Sequence, residues 1–179
     1  MNRLIIFPTD TVYGIGCSIF DLENIKKIYK IKNRQMNKPL ACLCADIKQI
    51  EAIAYLDERA KRIINTFLPG PLTIILKSKE EVVNKIGYKT IGVRIPNYPT
   101  ALEILSKYGP MLTTSVNDSG ATPINEYAEI VSKYFNLVDE IYPPCGESSN
   151  LSSTVISYID NEFKLIREGA ISLNDILNV

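Results

Sequence analysis

The chain of 179 residues predicts an α+β fold, a mixed α/β arrangement in which strands and helices interleave. Short β-type runs alternate with segments whose apolar residues recur at helical spacing. Runs near the end of the chain follow one another closely enough to form hairpins, which speaks against a purely parallel, doubly wound sheet. The composition is that of an ordinary folded protein, 46% hydrophobic and 22% charged with 9 Gly and 10 Pro, so disorder and fibrous repeats are excluded. Against the ~150 residues usual for one domain, residues 1–179 read as a single domain with a full core.

Residues 4–7, Leu-Ile-Ile-Phe, read as a buried strand, followed by turn-rich stretches at 8–11 and 13–16. Asp21 suits the N-cap of a helix in which Leu22, Ile25, Ile28 and Tyr29 share one face. That helix delivers the chain into 30–34, and a strand follows at 40–44. Asp57 caps a second helix whose apolar face is Ala60, Ile63, Ile64 and Phe67, and Pro69-Gly70-Pro71 stops it. Residues 72–76 and 90–95 are rich in β-branched side chains and read as strands. A helix at 100–108 ends at Gly109-Pro110. A strand at 111–116, a polar loop and a helix at 125–135 come next. Strands at 138–142, 154–159 and 163–166 complete the set, and Ser172 caps a short last helix.

Charge and residue counts restrict the chemistry. With 20 Lys plus Arg against 20 Asp plus Glu, the net charge is zero, which argues against a protein whose whole surface grips nucleic acid. The absence of histidine excludes Ser-His-Asp triads, Cys-His pairs and His-ligated metals. Catalysis therefore falls to Lys, Arg, carboxylates, hydroxyls, amides, or a metal that arrives with a substrate. The four cysteines, at 17, 42, 44 and 145, form no CxxC pair and read as free thiols, so no protein metal site is expected. The apolar run at 4–7 is too short for a signal-peptide core, and no stretch approaches the ~20 residues that cross a bilayer. The chain is expected in the cytoplasm, away from membranes, with Asn117 and Asn150 unglycosylated despite their Asn-x-Ser context.

Familiar nucleotide motifs are missing. There is no GxxxxGK[ST], and Gly14-Ile15-Gly16 leads into Cys17-Ser18-Ile19 without the further glycine of a dinucleotide fingerprint. Any nucleotide site must be assembled from scattered side chains. Lys32 and Arg34, one residue apart, leave the same face of an extended segment and can converge on one anion, or else form a solvated basic turn with Lys26, Lys27, Lys30 and Lys38. Ser115 and Asn117 place a hydroxyl and an amide together at a strand end, a common ligand position but also a capping one. Arg94, inside an apolar strand, requires a carboxylate or phosphate partner. Thr9, Thr11 and Tyr13 alternate and can offer three hydroxyls to one cleft, or a turn satisfied by its own side chains, with Asp10 capping backbone amides. Ser153, Thr154 and Arg167 add hydroxyls and a cation late in the chain.

Together these segments resemble the YrdC-like family of L-threonylcarbamoyladenylate synthases. The stretches that carry the resemblance are PTDTVYGIG at 8–16, KNR at 32–34 with KPL at 38–40, and FLPGPLTIIL at 67–76. TIGVRIPNYP at 90–99, TTSVNDSG at 113–120, SSTV at 152–155 and LIREGAIS at 165–172 follow in family order. The resemblance implies a YrdC/RibB-like twisted mixed β-sheet, flanked by helices around a deep basic cavity. It implies an enzyme that makes threonylcarbamoyl-AMP and pyrophosphate from L-threonine, bicarbonate and ATP, with Mg2+ carried by the ATP. The product would serve a downstream threonylcarbamoyl transferase complex that modifies the tRNA adenosine beside the anticodon, and weak RNA binding is part of the same picture.

Residue by residue, the resemblance assigns catalysis to Lys32, Arg34, Ser115 and Asn117. It assigns phosphate binding to those four with Arg94, Ser153 and Arg167, and threonine binding to Thr9, Thr11, Tyr13, Arg94 and Ser153. The chain departs from the family pattern at Asn33-Arg34-Gln35, where Gly-Arg-Pro is usual, at Ser152, where Glu is usual, and near Leu43, where a histidine is common. Two other readings stay open: a YrdC-like paralogue with another or a lost activity, and a non-enzymatic RNA-binding module using the same basic cavity. The carbamoyl-transfer domain of hydrogenase-maturation proteins is a more remote third.

Overall fold

The computed structural model describes residues 2–179. Its strands are β1 (Ile5–Phe7), β2 (Gly14–Ser18), β3 (Ala41–Leu43), β4 (Leu72–Lys77), β5 (Thr90–Arg94), β6 (Met111–Ser115), β7 (Glu140–Ile141), β8 (Thr154–Ile159) and β9 (Glu162–Arg167). Its helices are α1 (Leu22–Ile31), α2 (Ile47–Ile53), α3 (Glu58–Phe67), α4 (Glu80–Ile86), α5 (Pro99–Tyr108), α6 (Tyr127–Tyr134) and α7 (Leu173–Leu177). The strands form one nine-stranded sheet in the order β7-β1-β2-β6-β3-β5-β4-β8-β9. The pairs β1/β7, β3/β5 and β4/β8 are parallel and the other five are antiparallel, so the sheet is mixed, as expected.

Helix boundaries follow their caps. The carboxylates of Asp21 and Asp57 accept the N–H groups of Asn24 and Ala60, starting α1 and α3. Ser172 and Asp175 form a reciprocal capping box on α7. Two helices escaped the sequence reading: α2 has seven residues, too few for a periodic pattern, and α4 lacks a side-chain cap and buries only Val82. The stretch 13–16, read as a turn, instead enters β2, because Gly14 and Gly16 make room for a neighbour. A Cβ at either would come within 2.6 Å of the Thr113 side chain on β6. The strand expected at 138–142 contracts to β7, and the helix expected at 125–135 begins at Tyr127.

Period-two alternation gives the sheet two unlike faces. One carries Ile15, Cys17, Cys42, Ile74, Val93, Leu112 and Ile156, and packs against Ile25 and Ile28 of α1 and Ile63 and Ile64 of α3. Each of these fully buried isoleucines is worth about 1.5–3 kcal/mol over leaving it in water. The opposite face holds a smaller cluster in which Ile5, Phe7, Leu43 and Met111 meet Ala101, Ile104 and Leu105 of α5. Among the described residues α5 is the helix whose side chains form the core on that face, and much of β4, β5, β6 and β8 is left to form a cavity. Cys17, Cys42 and Cys44 are buried and Cys145 is exposed, all as free thiols. Among the described residues, no helix is long and apolar enough to cross a membrane.

Candidate active site

The cavity on this face has a volume of about 410 Å³. Its floor is made by alternate residues of central strands: Thr73 and Ile75, Thr90 and Gly92, Thr113 and Ser115. Three guanidinium groups, Arg34, Arg94 and Arg167, reach its wall, and among the described residues no Asp or Glu lines it. A hollow with three cations, many hydroxyls and no carboxylate favours an anionic ligand.

At one end the loop after β1 fixes Arg94. The Asp10 carboxylate lies 2.5 Å from its Nη2, Thr11 Oγ1 accepts from its Nη1 at 2.6 Å, and the Gly70 carbonyl accepts from its Nε at 2.9 Å. Asp10 also accepts the Asn97 N–H at 3.1 Å. The carboxylate partner that a buried strand arginine requires is thus Asp10. Burial draws the Arg94 pKa below its ordinary value, and the Asp10 charge opposes that shift. Thr9 Oγ1 accepts from the N–H groups of Thr11 and Val12 and donates to the Val12 carbonyl, so this turn is satisfied by its own side chain. The Thr9 and Thr11 hydroxyls lie 3.0 Å apart on the cavity wall. Tyr13 lines the cavity too, but its hydroxyl donates to the Tyr142 carbonyl at 3.3 Å and does not join the other two.

The expected convergence of Lys32 and Arg34 fails for a local reason. Lys32 ends α1 in helical geometry and Asn33 takes a φ of 49°, so the segment is not extended and the two side chains diverge. Asparagine tolerates this left-handed conformation, which accounts for its standing where the family pattern has glycine. Lys32 turns inward, 2% exposed, and donates to the Ser115 carbonyl and, at 2.7 Å each, to the carbonyl and Oδ1 of Asn117. An ammonium has three donors, and all three are used. Lys32 is therefore no part of the cavity wall, and its charge supports the wall from behind. Burial, with Arg34 as a second cause, lowers its pKa to about 8, while Asp118 opposes the shift. Arg34 stays at the cavity wall, its guanidinium held by the Lys38 and Pro39 carbonyls at 2.9 and 3.0 Å.

Ser115 and Asn117 do come together, the hydroxyl donating to Asn117 Oδ1 at 2.6 Å. Asn117 Nδ2 in turn donates to the Ala121 carbonyl at 2.5 Å. Ser115 lines the cavity, and Asn117 is the link between it and Lys32.

On the adjoining wall, Ser153 Oγ lies 2.9 Å from Thr73 Oγ1, and Arg167 donates to the Ser153 carbonyl from Nε at 3.1 Å and Nη2 at 2.8 Å, close enough to Arg94 for the two guanidinium groups to repel. Pairing along β8 and β9 skips a residue: Val155 faces Arg167 and Ile156 faces Leu165. The bulge leaves Ile166 extra, so Ile166 and Arg167 both reach the cavity although they are consecutive. Gly169 keeps this segment close, since a Cβ there would stand 2.5 Å from the Thr154 nitrogen. Arg167 makes no ion pair among the described residues, and burial lowers its pKa. Thr154, paired with Ser153 in the sequence reading, faces away and donates to the Ile171 carbonyl at 2.7 Å.

Sequence reasoning missed Thr73, Thr90 and Thr113. The signal was present: in central strands, one face reads Ile-Val-Leu while the other reads Thr, Gly and Ser, the mark of an interior face left uncovered. Among the described residues, no group of three or more His, Cys, Asp or Glu is placed to hold a metal ion.

Comparison with known proteins finds relatives that match nearly the whole chain. The sequence model of the Sua5/YciO/YrdC family, described as "Telomere recombination", matches residues 1–169. A relative from Methanocaldococcus jannaschii, provisionally named a threonylcarbamoyl-AMP synthase, is 37% identical over 175 residues, covering 98% of this chain and 84% of its own length. The threonylcarbamoyl-AMP synthase of Bacillus subtilis is 32% identical over 180 residues, covering 98% of this chain and 52% of its own. Pyrococcus abyssi Sua5, solved in complex with L-threonine, superposes with a TM-score of 0.88 at 30% identity, covering 99% of this chain and 53% of its own. The chain thus spans about half the length of the Bacillus and Pyrococcus proteins.

Proposed function

Because the chain belongs to the Sua5/YciO/YrdC family, we propose that residues 1–179 act as one L-threonylcarbamoyladenylate synthase unit in the cytoplasm. Threonine's amine takes up bicarbonate with loss of water to give a carbamate. A carbamate oxygen then attacks the α-phosphorus of ATP, the bond from that phosphorus to the bridging oxygen breaks, and pyrophosphate leaves with the electron pair. The product, threonylcarbamoyl-AMP, goes to a transferase complex that modifies the tRNA adenosine beside the anticodon.

The observation that carries this reading is a cavity wall with three arginines, of which Arg94 is paired with Asp10 while Arg34 and Arg167 have no carboxylate partner among the described residues. Two anions must meet, so the barrier is repulsion and orientation, and fixed guanidinium groups lower it without a proton-transfer residue. The groups of the cavity wall suit different parts of the substrates. Among the described residues Arg34 and Arg167 have no carboxylate partner, and they suit the triphosphate, with Ser153 as a hydroxyl donor and Ser115 beside them on the wall. Arg94, paired with Asp10 and beside Thr9 and Thr11, keeps further N–H donors that suit the carboxylate of threonine, and the two hydroxyls suit its side chain. Lys32 and Asn117 act as positioning residues that hold Ser115. Magnesium travels with the triphosphate as part of the nucleotide substrate, since the wall offers no carboxylate to hold it.

The test is incubation with ATP, magnesium, bicarbonate and threonine, leaving out each in turn and following pyrophosphate. Release should require all four. Release that continues without threonine, or none in the full mixture, rejects the proposal.

A further inference from the structure

Between β7 and β8 the chain runs through residues 142–153, and in the sheet order these strands are seven neighbour intervals apart. At ~4.8 Å per interval, that is roughly 34 Å to cross. The steps from Ile141 to Thr154 reach about 43 Å when fully extended, so the segment is long enough to cross the sheet as a strap with some length to spare.

The strap has almost no packing of its own. From Pro143 to Leu151 every side chain except that of Ser148 is exposed. Hydrogen bonds hold it at two places. The buried Tyr98 hydroxyl accepts the N–H groups of Cys145 and Gly146 at 2.9 Å each and donates to the Gly146 carbonyl at 3.1 Å. Ser148 Oγ donates to the Thr11 carbonyl at 2.5 Å, and the Ser149 N–H donates to the Asp10 carbonyl at 3.0 Å. The anchors are therefore the backbone of the two residues whose side chains grip Arg94, and a tyrosine four positions after that arginine. Beyond the anchors the strap delivers Ser152 and Ser153 into the cavity wall.

We infer that residues 143–151 are a closing strap for the Arg94 end of the cavity, which tightens when that end is filled. The inference rests on the synthase reading for the identity of the filling molecule, threonine. A segment fastened by a few hydrogen bonds opens locally at low cost, and a ligand that fixes its anchors favours the closed form. Ligand contact with Thr11 or Arg94 restrains the Asp10 and Thr11 carbonyls, and with them the strap.

Backbone hydrogen exchange read by mass spectrometry tests this on the full chain, with ATP present, with and without threonine. Threonine should slow exchange about tenfold at both 9–13 and 143–151. Tyr98→Phe, which keeps the ring, and Ser148→Ala, which removes one anchor, should each speed exchange at 143–151. Each should also raise the KM for threonine more than it lowers kcat, leaving the KM for ATP closer to its original value. Protection at 9–13 without protection at 143–151 overturns the strap alone, as does a Tyr98→Phe protein with unchanged exchange and unchanged KM. Protection at neither segment, with no threonine-dependent pyrophosphate, overturns the synthase reading and the threonine-closed strap together.

Discussion

The Lys32 ammonium lies 2.7 Å from both the backbone carbonyl and the side-chain Oδ1 of Asn117, joining the end of α1 to the end of β6. Through Asn117 the same cation fixes the Ser115 hydroxyl. Substituting Lys32→Met takes the ammonium donor from the Ser115 and Asn117 carbonyls and leaves Asn117 Oδ1 with only the Ser115 hydroxyl. Leaving even one buried acceptor unpaired costs about 1–3 kcal/mol, and a displaced Ser115 should slow pyrophosphate release at least tenfold. Denaturant unfolding and steady-state kinetics of the variant measure both. Unchanged stability would count against the buttress.

Lys32 also sets a pH dependence. Burial lowers its pKa to about 8, so between there and its ordinary value the unfolded chain binds a proton that the folded chain has lost. Stability from this group therefore rises with pH across that window, while below it both states are protonated and the cost of the buried charge is fully present. Activity should run the other way, falling as pH rises through about 8, because a neutral amine has only two donors for three acceptors. A pH–rate profile with no descending limb near pH 8 in the wild type contradicts this assignment.

Arg34→Ala separates function from folding. Its guanidinium holds only two loop carbonyls at the cavity mouth, so stability should change by less than about 0.5 kcal/mol. Turnover should fall by ~10²-fold or more, the scale for removing one charge-stabilising donor at a site of developing charge. Pyrophosphate release at the wild-type rate would remove Arg34 from the mechanism.

The Asp10 and Arg94 pair should behave in the opposite way. Asp10→Asn leaves a buried guanidinium without its counter-charge, which costs about 3–5 kcal/mol. The double variant Asp10→Asn with Arg94→Leu should lose less than the sum of the two single losses, because the pair is one interaction. Thermal or denaturant unfolding of the four proteins checks this, and additive losses would mean that the two side chains act independently.

The main architecture was legible where a residue type is forced by local chemistry. Asp21, Asp57 and Ser172 cap the helices expected of them, and Pro69 and Gly109 end α3 and α5, because few residues satisfy those backbone positions. Arg94 was legible as a buried cation in need of a partner, yet its pairing with Asp10 was not, since the two lie 84 positions apart and only the sheet brings them together. The direction of Lys32 was lost because a single left-handed residue, Asn33, reverses the geometry that extended spacing implies. Arg167 owes its place to a bulge that breaks strand alternation, and no spacing rule anticipates an unpaired residue. α2 and α4 were missed because short helices bury too few side chains to leave a period.

Mass spectrometry of the nucleotide product formed from isotopically labelled bicarbonate, threonine and MgATP is the most direct trial of the whole scheme. An adenylate that carries threonine through one labelled carbonyl, and that is lost in the Arg34→Ala protein, is the expected result. A threonine adenylate without the labelled carbon, or an unchanged ATP pool, would show that this cavity does not join a carbamate to the α-phosphate.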